Sequence, residues 1–232
     1  MRPYELASRD GFQWAAAEQA SAFLSAVYRW MCVGLTITAG TAWYVASSPA
    51  IIRTINPLIF WGVMFAQLGI VFVLSGRVQQ LAASTASLLF ILYSVLTGFT
   101  IAFVLLAYTG ESVARTFLVA AAMFAGLALY GTITKRSLGG FAQFLFMGLM
   151  GVVLASIVGI FWHSDAFQFV LSFIGVLVFS GLVAFDAQRL KLMAIQTPSG
   201  QSTYAIVGAL ALYLDFTNLF LFLLRFSGNR RE

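Results

Sequence analysis

Long runs without a single charge limit what this chain can become. Residues 78–110 and 137–162, for example, hold no Asp, Glu, Lys or Arg. About 20 apolar residues rising 1.5 Å each cross a hydrocarbon core of about 30 Å, so runs of this kind read as membrane spans. Inside lipid, only helices and closed barrels satisfy every backbone N–H and C=O internally. The runs lack the apolar–polar alternation of a barrel strand, so the spans are expected to be helices. Composition agrees: 61% of the residues are hydrophobic and 9% charged, against roughly a quarter charged in a soluble domain.

Seven spans are expected, at 27–47, 57–75, 86–108, 113–133, 141–162, 167–187 and 204–226, within a transmembrane domain of residues 27–226. Residues 1–26 read as a polar N-terminal segment and 227–232 as a short basic tail. The first 20 residues include Arg2, Glu5, Arg9, Asp10 and Glu18 with no apolar stretch between them, so no cleavable leader is expected. Turn-forming residues mark the joints: Ser47-Ser48-Pro49, Asn56-Pro57, Thr109-Gly110, Ser137-Leu138-Gly139-Gly140 and Thr197-Pro198-Ser199-Gly200. The connections leave no room for a soluble domain.

The net charge of +5 is not a nucleic-acid signal, because the basic residues stand singly or in pairs between apolar runs, where they orient the chain and meet lipid headgroups. With the N-terminus in the cytoplasm, Arg2, Arg9, Arg29, Arg77, Lys135, Arg136, Arg189 and Lys191 fall inside, and Arg53 and Arg115 outside. That pattern predicts a cytoplasmic N-terminus. The seventh span breaks the rule by placing Arg225, Arg230 and Arg231 outside. Its length favours a true span over a re-entrant segment.

Small residues recur at helical spacing: Gly148, Gly151 or Val152, Ala155 and Gly159 on the fifth span, and Ala121, Ala125 and Ala128 on the fourth. Such stripes let backbones approach, and packing is all they imply. The single cysteine, Cys32, excludes an internal disulfide and a cysteine-based metal cluster, and is expected to be a buried, inert thiol.

Few ionisable residues lie inside the spans. Asp215, in Leu212-Tyr213-Leu214-Asp215-Phe216-Thr217-Asn218, sits near the middle of the seventh, where an acid costs about 2.5–3.5 kcal/mol on insertion scales. It needs a partner, a protein-lined cavity or a proton. Gly208, Ala211, Asp215 and Asn218 share one narrow face of that helix, with Leu210, Leu214, Phe220 and Leu221 largely elsewhere. The polar stripe is expected to face the bundle. Asp186, near the end of the sixth span, has two readings: an interfacial residue paired with Arg189, or a partner of Asp215 across two antiparallel helices. Two close carboxylates in a low-dielectric site cannot both ionise cheaply, so the pair is expected to share a proton. Arg77, after the second span, is either a snorkelling anchor or the cation that holds the carboxylates. Glu111, His163 and Asp165 read as solvated loop residues, and a lone histidine is not a metal site.

At the two aspartates the sequence resembles the Bax inhibitor-1 family, and most closely its bacterial members. Leu212-Tyr213-Leu214-Asp215-Phe216, Asn218-Leu219-Phe220, Leu223-Leu224-Arg225 and Gly228-Asn229-Arg230 are similar to that family's C-terminal signature. Gly175-Val176-Leu177-Val178-Phe179 leading to Asp186-Ala187-Gln188-Arg189 resembles its sixth helix. Tyr93-Ser94-Val95-Leu96-Thr97-Gly98 resembles its third, and Leu129-Tyr130-Gly131 with Thr134-Lys135-Arg136 the end of its fourth. The similarity runs from about residue 20 to the end. It implies a seven-helix bundle with the last helix at its centre, and a pH-sensitive calcium leak gated by aspartates that match Asp186 and Asp215. The family's basic residue after the second helix matches Arg77. Phe185 and Thr217 depart from the tyrosine and isoleucine expected there, without removing an ionisable group.

The leading expectation is therefore a proton-controlled cation leak rather than an enzyme. The aspartates and Asn218 would form a weak, transient site for Ca²⁺, which takes about 6–8 oxygen ligands. No resident cofactor is expected, and the partners are the bilayer, calcium ions and protons. One rival is a non-conducting regulator bound to another membrane protein. A second is an intramembrane aspartyl protease, which the text Leu212-Tyr213-Leu214-Asp215 disfavours, since those enzymes carry Gly-x-Gly-Asp.

Overall fold

A computed structural model describes residues 3–162, 164–196, 202–229 and 231, the backbone alone at 3–17 and 196. Among the described residues eight α-helices follow one another: α1 (Pro3–Ala46), α2 (Pro49–Thr54), α3 (Pro57–Gly76), α4 (Ala83–Ala107), α5 (Gly110–Ile133), α6 (Ala142–Phe161), α7 (Asp165–Gln196) and α8 (Ser202–Ser227). A 3₁₀ turn, Leu138–Phe141, leads into α6. All but α2 contain a stretch long and apolar enough to cross a bilayer, so the chain is an integral membrane protein with seven membrane helices. The sixth and seventh are α7 and α8.

The joints form where turn chemistry dictates. Pro57 opens α3, capped by Asn56, whose side chain accepts a hydrogen bond from the Ile59 N–H at 2.9 Å. The Thr109 hydroxyl accepts from the Ser112 N–H at the start of α5. Arg2, His163, Arg230 and the joint at 197–200 lie outside the described residues.

One helix end differs from expectation, and α1 runs unbroken from Pro3 into the first span. The sixth membrane helix continues past 187 to Gln196. The polar residues read as a terminus sit on one side of a helix whose other side still buries Ala187, Leu190 and Ala194.

The helices meet at small residues. A Cβ on Gly98 of α4 would lie 2.6 Å from the Thr38 carbonyl oxygen, so α1 and α4 touch backbone to backbone. α8 packs against α1, α4, α5 and α7, whereas α3 packs on α4, and α6 on α7 and the 3₁₀ turn. In its spanning window 72% of α8 is buried, against 11% for α3 and for α6. Its chain end turns back over the α4–α5 joint: the Thr109 N–H donates to the Asn229 carbonyl, and the Arg231 N–H to the Ala107 carbonyl. At the opposite end of α8, the Thr203 hydroxyl donates to the Leu81 carbonyl in the α3–α4 joint. The last helix therefore spans and does not re-enter.

Three facing expectations fail. Cys32 is exposed rather than buried. Val27, Met31, Gly34, Thr38, Ala42 and Val45 mark the buried face of α1, and Cys32 lies about 100° around the helix from Met31. On α5 the buried stripe is Thr116, Ala120, Phe124, Ala128 and Gly131, and Ala125 is exposed. On α8, Leu210 and Phe220, set aside as the outward side, are buried, because neighbours surround most of that helix.

Candidate functional site

Asp215 lies in the middle of α8, 13 residues from its first residue, and is 5% exposed. Asp186 lies on α7, ten residues before that helix ends, and is half-buried. The helices are packed neighbours, and the two carboxyl groups stand within hydrogen-bonding reach of each other. Asp215 Oδ2 is fully enclosed and receives no hydrogen bond from any described residue. Two ionised carboxylates have no hydrogen to share, and the contact becomes a bond only when one carries a proton.

The charged surroundings are sparse. Arg189, one turn along α7, lies within electrostatic reach of Asp186 and is itself exposed. Among the described residues, Arg115 and Glu111 at 2.5 Å form the one ion pair, so neither aspartate has a salt-bridge partner. Arg77 caps the C-terminal end of α3, exposed to the surroundings. It stands at the same end of the bundle as the end of α7 but is not brought to the carboxyls. Asn218, one turn beyond Asp215, donates to the Leu214 carbonyl at 2.8 Å. That bond leaves its side-chain oxygen as the free acceptor. No three of the described His, Cys, Asp and Glu residues gather at one place. Two carboxylates are thus all the anionic ligation the described residues offer a cation at this level, with carbonyl and water oxygens for the rest. Asp165 and Glu111 are exposed at the other end, each in the first turn of its helix.

Sequence reasoning missed the groups that hold this region in place. A Cβ on Gly131 of α5 would lie 2.9 Å from the carbonyl carbon of Ala184, and closer still to its oxygen. The α5–α7 crossing therefore falls two residues from Asp186. Just beyond, Gln188 clamps the connection to α6: its Oε1 accepts from the Leu138 N–H at 2.7 Å and its Nε2 donates to the Arg136 carbonyl at 2.9 Å. Lys191 donates to the Thr132 carbonyl at 2.6 Å, satisfying an end carbonyl of α5. On α8, Tyr213 is fully buried with its hydroxyl 2.5 Å from that of Thr38. Thr38 donates its own hydrogen to the Ser94 carbonyl, so Tyr213 is the donor to Thr38. Tyr213 and Gly131 both fall in conspicuous sequence motifs, the available signal. Gln188 falls in the sixth-helix motif, and Lys191 read only as a cytoplasmic basic residue.

Residues 20–232 match the family model described as "Inhibitor of apoptosis-promoting Bax1". The inner membrane protein YbhL of Escherichia coli K12 is 47% identical over 215 residues, covering 90% of this chain and 92% of that protein. An uncharacterised protein of Borreliella burgdorferi is 39% identical over 216 residues, covering 90% and 93%. An uncharacterised membrane protein of Streptococcus pyogenes serotype M6 is 41% identical over 175 residues, covering 75% and 76%.

Proposed function

The chain belongs to the Bax inhibitor-1 family, and from that premise we propose that it is a pH-sensitive calcium leak gated by Asp186 and Asp215. The observation carrying this reading is the enclosed, unpartnered carboxyl oxygen of Asp215 with the Asp186 carboxyl beside it. An acid at that depth has no cation to neutralise it, so a proton shared with its neighbour is the inexpensive state. The shared proton ties α7 to α8. Its loss puts two negative charges side by side, and repulsion drives the helices apart at the level of the pair. The same charges then attract a divalent cation, and two carboxylates with a few neutral oxygens bind it weakly enough to let it leave.

In this reading α8 is the axis of the bundle, which its burial supports, and α7 is the element that moves. Asn218 offers the next oxygen along α8. Arg77 acts as a cation at the end of the bundle where α7 ends and α8 begins. The membrane is the bacterial inner membrane, a reading supported by the Escherichia coli relative, an inner membrane protein. The N-terminus is cytoplasmic, on the distribution of Lys and Arg.

The test is Ca²⁺ entry into liposomes holding the purified chain, measured across pH, with Asp186→Asn and Asp215→Asn alongside. Flux should rise with pH in the wild type and lose its pH response in both variants. A pH response unchanged in both would refute the assignment of the gate. Absence of any protein-dependent flux from folded chain would refute the leak itself and favour a regulator acting through a protein partner.

A further inference from the structure

The wall of the bundle is open between α3 and α6. α3 packs on α4, and α6 on α7 and the 3₁₀ turn, which leaves a cleft of about 1020 Å³ floored by α7 and α8. Met64 and Leu68 of α3 flank one side, 37% and 54% exposed, and Ile157 of α6 the other, 50% exposed. The side of the cleft therefore opens toward lipid, while its Arg225 and Asp165 end lies at the helix termini. Along α8 the cleft reaches from Gly228 to Asn218, ten residues or about 15 Å, which is half of a hydrocarbon core of about 30 Å.

Polarity is graded along that depth. The inner end is walled by Val152, Phe179 and Phe222, with Asn218 as its polar group. The mouth carries one cation and one anion, Arg225 in the last turn of α8 and Asp165 in the first turn of α7. Both are exposed, and among the described residues neither forms an ion pair. Three polar side chains of the lining each donate one hydrogen to backbone. Ser156 donates to the Val152 carbonyl at 2.7 Å, Gln168 to the Gly159 carbonyl at 3.4 Å, and Asn218 to the Leu214 carbonyl at 2.8 Å. Those bonds lower the cost of an apolar chain in the cleft, and the amides of Gln168 and Asn218 each keep a second N–H.

We propose that this cleft binds one phospholipid with a zwitterionic headgroup, its phosphate on Arg225, its ammonium on Asp165 and an acyl chain along α8 toward Phe179. An ammonium headgroup matches both charges at the mouth, whereas an anionic glycerol headgroup leaves Asp165 without a counterpart. The proposal does not rest on the calcium reading.

The full chain, delipidated in detergent, is titrated with phosphatidylethanolamine and with phosphatidylglycerol, and bound lipid is counted by native mass spectrometry. One phosphatidylethanolamine per chain is expected, preferred about tenfold, the equivalent of one charge-assisted hydrogen bond. Asp165→Asn should abolish the preference, and Arg225→Gln should weaken both lipids. Equal binding of the two lipids by the wild type, or an undiminished preference in Asp165→Asn, would overturn the proposal.

A second measurement reads what fills the cleft. In a Cys32→Ser background, Ser156→Cys should react with an apolar maleimide and resist a charged, impermeant thiosulfonate. Fast reaction with the charged reagent would reveal a water-filled ion vestibule and overturn the lipid assignment.

Discussion

Replacing Gly131 by alanine puts a methyl group against the backbone of α7 at Ala184, two residues before Asp186. The added carbon would lie 2.9 Å from the Ala184 carbonyl carbon, against an ordinary contact of 3.4 Å or more, with the carbonyl oxygen nearer still. The helices must therefore separate by at least about 0.5 Å, and the obstacle is backbone, which has no rotamer to yield. Overpacking of this kind costs about 1–3 kcal/mol, offset by up to about 1 kcal/mol of helix propensity gained on leaving glycine. Gly126→Ala on the same helix is the control, because nothing lies within 4 Å of its added carbon. Thermal unfolding of the purified protein in detergent should give a clearly lower midpoint for Gly131→Ala, and a midpoint at or slightly above the wild type for Gly126→Ala. Hydrogen exchange should rise along α7 around residues 182–188 in the first variant only. Equal midpoints for the two variants would refute the close approach of α5 and α7.

Other groups give sharper local readouts. Tyr213→Phe removes the donor to Thr38 while leaving the ring packed between Phe90 and Tyr93. It should cost about 0.5–1.5 kcal/mol in thermal or denaturant unfolding, less than Thr38→Val, which also leaves the Ser94 carbonyl without its donor. Gln188→Ala frees the Leu138 N–H and the Arg136 carbonyl, so hydrogen exchange should quicken across residues 134–141 with little change in the midpoint. Cys32, exposed on a membrane helix, should react with a lipid-soluble maleimide in vesicles and be spared by a charged thiol reagent.

The seven spans and most of their joints were legible because lipid tolerates no charge and no unpaired backbone. Asp215 was legible for the same reason: an acid amid Leu214 and Phe216 needs a reason to be there. Its neighbour could be named from topology, since two successive helices with a short connection lie antiparallel. Facing was the failure. In water, polarity marks the outside of a helix, but lipid is as apolar as a core, so Cys32, Ala125, Leu210 and Phe220 carried no sign of which way they point. The continuation of α7 to Gln196 was hidden by Arg189 and Lys191, which resemble a solvated terminus until Lys191 is seen on the Thr132 carbonyl. The open wall between α3 and α6 depends on helices that do not pack together, and no local pattern encodes that.

The claim that a proton is held between Asp186 and Asp215 can be met by infrared difference spectroscopy of the reconstituted protein, with Ca²⁺ flux followed over the same pH range. A protonated-carboxyl band should be present at low pH, disappear as flux rises, and be absent or shifted in both Asp186→Asn and Asp215→Asn. A band that persists unchanged through the rise in flux, or that survives in both variants, would contradict the shared proton and with it the gate.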